Sequence, residues 1–140
     1  MREPFRYTLT VRYVECDLQG HVYNSHYLTY FDMAFGAMLA TAAGRPYSAL
    51  VADGIDVVVA EAGIRYLAPA GFEDELTIEV TVKPPSNTSM SSQLTVKRDG
   101  AVIATGNLRH VCFDLIEYGK RPWPDEIRAG IEPFIALDDD

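Results

Sequence analysis

SHYLTYFDMAFGAMLATAA, residues 25–43, is a strongly apolar segment that predicts a helix of about five turns at 3.6 residues per turn. Asn24 is the expected N-cap, and Gly44 is the expected terminator. The polar positions of the segment recur at helical spacing and form one narrow stripe: His26, Thr29, Asp32 and Gly36. Because a helix that is apolar nearly all round is a buried one, other elements of the chain must wrap it.

The segments around this helix predict strands, since apolar and polar residues alternate along them. The strand segments are 5–13, 55–69 with an irregularity at Gly63, 75–84, and the two halves of 89–115. Asp99 and Gly100 divide the last segment and are a strong hairpin signal. Short helices are predicted for 47–54 and, opening with Pro, Asp and Glu, for 124–131.

The order of these elements, β-α-β-β-β-β with a short C-terminal helix, predicts an α+β fold. Hairpin connections late in the chain favour a five-stranded antiparallel sheet wrapped around one long central helix. The 140 residues are the usual size of one domain, so a single domain over 1–140 is expected. A five-stranded sheet leaves its edges exposed, which favours a homo-oligomer.

Composition and charge argue against several classes of protein. The net charge of −8 gives no support to a nucleic-acid groove, and no apolar run approaches the length of a membrane span. The opening residues 1–10 have no apolar signal-peptide core, and the two cysteines are Cys16 and Cys112. We therefore expect a cytoplasmic protein with reduced thiols and a solvated acidic tail at 137–140.

The segment VRYVECDLQGHVYNSHYLTYFDMA, residues 11–34, carries a recognisable motif. An aspartate, two variable residues, Gly-His-Val, one further residue and an asparagine precede the aromatic helix. This pattern resembles the signature of hotdog-fold acyl-CoA thioesterases of the 4-hydroxybenzoyl-CoA thioesterase type. RYLAPAGFEDELTIEV (65–80) and LRHVCFDLIEYGKRPWPDEIR (108–128) fit the same family, so the resemblance covers residues 5 to about 131.

The resemblance implies a hotdog fold and a homodimer, often paired into a homotetramer, with active sites at the subunit interface. It carries the family's catalytic carboxylate to Asp17, and it places the amide that polarises the thioester carbonyl at or next to Asn24. His21 is a departure, since the 4-hydroxybenzoyl enzymes have an aliphatic residue there, and another branch has a histidine at the position of Asn24. Neither the hydroxybenzoyl substrate nor a histidine-assisted mechanism is therefore carried over.

Thioester hydrolysis needs a base or a nucleophile, together with donors for the developing oxyanion. Asp17 supplies the first, and the unpaired amides at the start of a buried helix near Asn24 supply the second. The plainer alternatives are a turn aspartate and an N-cap asparagine. We interpret Glu15 as a structural residue or as one that supports the site residues from behind. Cys16 has no identified base and points away from Asp17 if the chain is extended there.

The other candidate residues carry weaker signals. Substrate-binding residues are predicted at His21, Val22, Tyr23, Tyr27, Thr88 and Ser89, and CoA-binding cations at Lys120, Arg121 and Arg128. The plainer alternatives are a loop-holding role for His21, core packing for Tyr27 and a solvated surface for the cations. Asp32 is expected to pair with an arginine or to face the site across a dimer interface. His21, His26 and His110 lack metal-ligand spacing, so neither a metal nor another cofactor is expected.

The predicted function is hydrolysis of an acyl-CoA thioester to a free acid and CoA, with a carrier-protein thioester as an alternative substrate. A second hypothesis is a hydratase or dehydratase of the same fold, for which His21 and Asp32 are the available pair. A third is a module that binds acyl thioesters without turning them over. The sequence has no GxSxG, P-loop or dinucleotide motif, which disfavours serine hydrolases, NTPases and nicotinamide enzymes.

Overall fold

The structure is a computed structural model that describes residues 2–136, so Met1 and the acidic tail at 137–140 lie outside the described residues. The strands are β1 Phe5–Thr10, β2 Ile55–Tyr66, β3 Glu75–Val82, β4 Ser89–Arg98, β5 Ala101–Asp114 and β6 Gly119–Lys120. The α-helices are α1 His26–Ala43, α2 Tyr47–Ala52 and α3 Asp125–Gly130, and short 3₁₀ helices cover Tyr13–Glu15 and Glu132–Phe134. None of the helices within residues 2–136 is long and apolar enough to cross a membrane.

The central helix α1 forms where the sequence predicts it. It ends at Gly44, whose φ of 70° is left-handed and whose N–H donates to the carbonyls of the last helical turn, as expected for a glycine terminator. The N-cap position is held by Ser25, without a side-chain capping hydrogen bond. The prediction of Asn24 as the cap is therefore wrong by one residue, and the side chain of Asn24 is left free of that role.

The sheet is antiparallel, with the strand order β1-β3-β4-β5-β2, and β6 adds a short pairing to β5. The predicted hairpin between β4 and β5 turns at Asp99 and Gly100, which both have positive φ. β1 ends at Thr10 rather than at residue 13, because the chain turns there into the 3₁₀ helix Tyr13–Glu15. The predicted α+β hotdog arrangement is confirmed, and β6 is an added strand whose two residues are too short to show a period.

The core lies between α1 and one face of the sheet. The helix contributes five large side chains that are at most 1% exposed: Tyr30, Phe31, Phe35, Met38 and Leu39. β3 contributes its alternate residues Leu76, Ile78, Val80 and Val82. Full burial of one such aliphatic or aromatic side chain contributes about 1.5–3 kcal/mol. Gly106 on β5 lets the helix approach the sheet, since a Cβ there would lie 2.3 Å from the ring of Phe31.

One stripe of α1 stays open between the two edge strands, β1 and β2. Asp32 on this stripe is exposed, so the prediction that the helix is covered on nearly all sides is wrong for the single chain. The edge strand β2 is exposed along most of its 12 residues, including Val58 and Val59. Its register shift lies between Val59 and Glu61 rather than at the predicted Gly63, which is regularly paired.

Candidate active site

The loop that precedes α1, residues 16–22, is closed by backbone hydrogen bonds across its base, and we call it the Asp17 loop. Cys16 and Val22 form an isolated antiparallel bridge, and the N–H of Asp17 donates to the carbonyl of His21 at 2.8 Å. The loop is therefore a small, ordered hairpin that holds Asp17 near its tip.

The Asp17 loop is anchored on the segment that follows β2. The N–H of Val22 donates to the carbonyl of Ala70 at 2.8 Å, and His21 forms an isolated bridge with Gly71. Asp74 fixes this segment by accepting the N–H of Gly71 at 2.8 Å. That hydrogen bond holds the pKa of Asp74 below its usual range, so the carboxylate stays charged at neutral pH.

The Asp17 carboxylate is exposed, and the loop occupies only one of its oxygens. Its Oδ1 accepts the N–H of Gln19 at 2.9 Å and the N–H of His21 at 3.2 Å, which is the turn role expected as the plainer alternative. Among residues 2–136, its Oδ2 has no hydrogen-bond partner. The loop thus orients the carboxylate and leaves one oxygen free for a reacting group.

The start of α1 presents two unbonded backbone donors. The N–H groups of His26, Tyr27 and Leu28 donate to carbonyls three residues earlier, at 2.9, 3.3 and 3.3 Å, so the first helical turn is satisfied by itself. Within the described part of the chain, the N–H groups of Asn24 and Ser25 have no backbone acceptor. These two amides, rather than the amides of the helix proper, are the donors available to a ligand.

A cavity of about 450 Å³ lies between the Asp17 loop, the start of α1 and the end of β2. It brings together six predicted site residues: Asp17, His21, Val22, Tyr23, Asn24 and Tyr27. Its other wall consists of residues that the sequence analysis missed: Tyr66, Leu67, Ala68 and Pro69. Tyr66 also donates from its hydroxyl to the carbonyl of Asn24 at 3.0 Å. The signal for this wall is the LAP sequence directly after β2, which has no local partner and so must pack on a distant segment.

Glu15 is buried beneath the Asp17 loop, as the structural interpretation expects. It is 6% exposed, and its Oε1 accepts the hydroxyl of Tyr30 and the N–H of Arg12, both at 2.8 Å. Burial raises the pKa of Glu15, but the hydrogen bonds from Arg12 and Tyr30 outweigh burial and hold that pKa below its usual range. Burial and the contact with Glu15 raise the pKa of Tyr30, so its hydroxyl stays protonated as the donor.

The remaining predicted site residues lie at the opposite end of the sheet. On β5, Ala104 pairs with Tyr66 beside the cavity, whereas Val111 pairs with Ser89. Seven positions of a strand separate the two pairs, which corresponds to roughly 23 Å at about 3.3 Å per residue. Within one chain, the structure therefore does not bring to the cavity the predicted residues Thr88, Ser89, Lys120, Arg121 and Arg128.

These five residues form a cluster of their own, which we call the basic end. Lys120 pairs with Phe113 across β6 and β5, and its side chain is exposed. Arg128 donates from its guanidinium to the carbonyl of Ser86 at 2.6 Å, beside Thr88 and Ser89 in sequence. Hydroxyl groups and cations are therefore collected at the end of the sheet that is far from Asp17.

Asp32 has a partner other than the expected arginine. Its Oδ1 lies 3.6 Å from Nε2 of His110, which is 1% exposed and stacks on the ring of Phe35. Asp32 and His110 line a second cavity, of about 530 Å³, whereas His21 lines the first. The pair of His21 and Asp32 that a hydratase would require is therefore not brought together. No group of three His, Cys, Asp or Glu residues suited to a metal occurs within residues 2–136.

Comparisons with known proteins place these features in a family. The thioesterase-like superfamily matches residues 11–131. The acyl-CoA thioester hydrolase YbgC of Escherichia coli O6:H1 is 28% identical over 128 residues, which cover 89% of this chain and 93% of that protein. The long-chain acyl-CoA thioesterase FadM of Escherichia coli K12 is 27% identical over 129 residues, which cover 91% of this chain and 96% of that protein.

A solved structure gives the same assignment. The gentisyl-coenzyme A thioesterase BH1999 superimposes with a TM-score of 0.81 and 26% identity, covering 88% of this chain and 98% of that one. The predicted resemblance to hotdog thioesterases and the predicted class of enzyme, a thioester hydrolase, are confirmed. The chain belongs to the thioesterase-like superfamily.

Proposed function

We propose that this thioester hydrolase cleaves acyl-CoA to a free acid and CoA, with Asp17 as the base or nucleophile and the N–H of Asn24 as the oxyanion donor. One observation carries the proposal: a carboxylate with a free oxygen and a residue with a free amide line the same cavity. The relatives named for acyl-CoA hydrolysis support the choice of thioester.

The carbonyl oxygen of the bound thioester would point at the N–H of Asn24, with the neighbouring N–H of Ser25 as a second donor. A well-aimed backbone donor contributes about 2.7–4 kcal/mol to the stability of an oxyanion transition state. Both amides lie just before the first turn of α1, at the positive end of the helix dipole, which favours the negative charge that develops there.

Two routes use the free Oδ2 of Asp17. In the first, the carboxylate removes a proton from water as the water oxygen attacks the acyl carbon; the C–S bond then breaks, and the departing CoA sulfur takes the proton. In the second, Oδ2 attacks the acyl carbon and expels CoA as a thiolate, and water then hydrolyses the mixed anhydride to the acid. Both routes consume one water and yield the acid and CoA.

We propose that two copies of the chain pair along their β2 strands. β2 offers 12 residues with an open hydrogen-bonding edge and the exposed side chains of Val58 and Val59, and a long exposed edge of this kind readily pairs with a strand of another chain. Two-fold symmetry makes such a pairing antiparallel. The Ile55 end of one β2 then lies beside the Tyr66 end of the other.

This pairing would bring together the Asp17 cavity and the basic end, which lie apart in the single chain. The basic end of the second copy is carried to the Asp17 cavity of the first, because it adjoins the Ile55 end of β2. Lys120, Arg121 and Arg128 of that copy would then bind the phosphates of CoA, and Thr88 and Ser89 would approach the thioester. A cytoplasmic location, a carrier-protein substrate and further pairing into a tetramer stay predictions.

The experiment is free-thiol release from short, medium, long and aromatic acyl-CoAs, with wild type beside Asp17→Asn. The substitution keeps the turn contacts of Oδ1 and removes the base, so kcat should fall by about 10²–10⁴-fold. Asp99→Asn, an exposed carboxylate in the β4–β5 turn, is the matched control and should keep full turnover. Equal turnover by wild type and Asp17→Asn would sink the proposal. Tight binding of acyl-CoA without product would replace it with a binding module.

A further inference from the structure

We propose that Glu15 is a positioning residue, whose buried side chain sets the distance and angle between the Asp17 carboxylate and the Asn24 amide. The inference rests on the proposed function, since it concerns the geometry of the two groups that would react. Glu15 is a charged side chain that is kept in the interior beside the Asp17 loop.

The Glu15 carboxylate is fully engaged. Oε1 accepts the N–H of Arg12 and the hydroxyl of Tyr30, each at 2.8 Å. Oε2 accepts Nε of Arg12 at 2.9 Å and lies 2.8 Å from its second guanidinium nitrogen. A buried carboxylate that lost one partner would be left with an unsatisfied charge, so the four contacts define one orientation of this side chain.

The backbone of Glu15 closes the segment that carries both reacting groups. Its carbonyl accepts the N–H of Tyr23 at 2.9 Å. Asp17 follows Glu15 by two residues, and Asn24 follows Tyr23 by one, so this hydrogen bond is a cross-link directly beneath the reacting pair. A shift of the Glu15 backbone would therefore change the separation of Asp17 and Asn24.

The side chain of Glu15 ties this cross-link to the helix. Tyr30 is 1% exposed and belongs to the core face of α1, so its hydroxyl is a fixed point. Through Tyr30, the loop that carries Asp17 is held in register with the same helix whose start carries Asn24. The loop alone does not provide this, because its own hydrogen bonds close it on itself and on Ala70.

Fold stability does not by itself explain a carboxylate here. Replacing a buried ion pair and its partners together with well-packed apolar side chains is often neutral or stabilising, so stability alone does not require a carboxylate at this place. The hydrogen bonds that the Glu15 carboxylate accepts from Arg12 and Tyr30 fix the orientation of the segment instead. Misplacement of a reacting group by about 1 Å lowers a rate by roughly 100-fold, which is the effect that orientation protects against.

The test compares kcat and KM for Glu15→Gln and Tyr30→Phe on the best acyl-CoA found for the wild type. Each should lower kcat by about 10- to 100-fold and leave KM within about twofold, since the reacting geometry changes and the binding surface does not. Glu79→Gln is the matched control: Glu79 also pairs with two cations, Arg6 and Lys97, but on β3 away from the cavity. It should retain wild-type kcat.

A second readout separates positioning from a general loss of structure. If Glu15 acts through Asp17, then Glu15→Gln should not lower the residual turnover of Asp17→Asn any further. An additive loss in the double variant would overturn the inference, as would wild-type kcat in both Glu15→Gln and Tyr30→Phe. If Glu15→Gln does not fold, Tyr30→Phe decides alone: it lacks one hydroxyl, and full kcat in it would overturn the inference.

The two proposals fail in different ways. If Asp17→Asn abolishes turnover while Glu15→Gln and Tyr30→Phe leave it unchanged, the proposed function would be supported and the positioning role would be wrong. Turnover that is indifferent to Asp17, or the lack of any turnover, would remove the proposed function and the positioning role together.

Discussion

The two ends of the sheet carry chemical groups of opposite kinds. The end near the start of α1 has a carboxylate with a free oxygen and two free amides, and among the described residues no lysine or arginine lines its cavity. The basic end has cations and hydroxyl groups, contributed by Lys120, Arg121, Arg128, Thr88 and Ser89. Acyl-CoA needs both kinds, because its thioester calls for a base and its phosphates call for cations. Under the proposed function, each chain would supply two half-sites, one from each end of its sheet.

The separation has a physical advantage. A carboxylate close to the phosphates of CoA would repel them, and cations close to Asp17 would lower its basicity. Opposite ends of one sheet keep the two groups of residues apart, and the proposed antiparallel pairing of two copies would bring them together. The net charge of −8 makes this division more important, since an anion can be held only where cations are gathered.

The largest expected effect comes from mixing two inactive chains. One chain carries Asp17→Asn, and the other carries Lys120→Ala, Arg121→Ala and Arg128→Ala together. Each parent dimer should have at most about 1% of wild-type kcat/KM, since it lacks the base or several charge-assisted contacts. The mixed dimer, purified through two different tags, should regain about half of the wild-type turnover, because one of its two sites is intact.

A mixed dimer that stays inactive would indicate that each site is built from one chain. A site built from one chain would have one defect or the other in every copy, so mixing would restore nothing. The same dimer assembled from Asp17→Asn and Lys83→Ala chains is the control. Lys83 lines a separate cavity that contains none of the predicted site residues, so this dimer should have half of the wild-type sites in either case.

A smaller effect is expected when the basic end loses one charge. Lys120→Ala should raise KM for acyl-CoA about tenfold and leave kcat unchanged, because the lost contact binds the phosphates equally in the ground state and the transition state. The effect should shrink as salt is raised, since an exposed cation is screened. Lys83→Ala removes the same charge elsewhere and should leave KM unchanged. A fall in kcat with unchanged KM would place Lys120 near the reacting atoms instead.

The sequence predicts the elements well and the distances between them poorly. Helix α1, the Asp99-Gly100 hairpin and the alternation of β3 follow from local periodicity, and the structure has them within a few residues. The Asp17 loop could be found because its residues are contiguous. By contrast, sequence spacing does not show that Thr88 and Lys120 lie at the other end of β5 from Asp17 within one chain.

The buried partners were also outside the reach of the sequence. A structural role could be predicted for Glu15 from the sequence. Its hydrogen bond to Tyr30 could not, because the two residues are 15 positions apart and only the folded loop brings them together. The free amides of Asn24 and Ser25 are a further case. Periodicity predicts a helix start near Asn24, but which N–H groups remain unbonded depends on the turn geometry that precedes the helix.

The smallest effect concerns the two cysteines, which mark the two ends. Burial raises the pKa of the Cys112 thiol to about 11, whereas Cys16 is half-buried at the base of the Asp17 loop. At pH 8 the thiolate of Cys112 is therefore about one part in a thousand, and the side chain has no access to solvent. Iodoacetamide at pH 8 should label Cys16 in the folded protein and leave Cys112 untouched until the chain is unfolded, as followed by mass spectrometry of the two peptides.

The same pKa gives a pH dependence whose sign is fixed. Because the native state holds the proton of Cys112 more tightly than the unfolded chain does, its contribution to stability is complete below the ordinary thiol pKa of about 8.5 and is lost as the pH rises toward 11. Cys112→Ala removes the titrating group and should flatten that part of the profile in chemical denaturation. Equal labelling of both thiols at pH 8 would mean that the basic end opens in solution, and the cation cluster could not then be a preformed half-site.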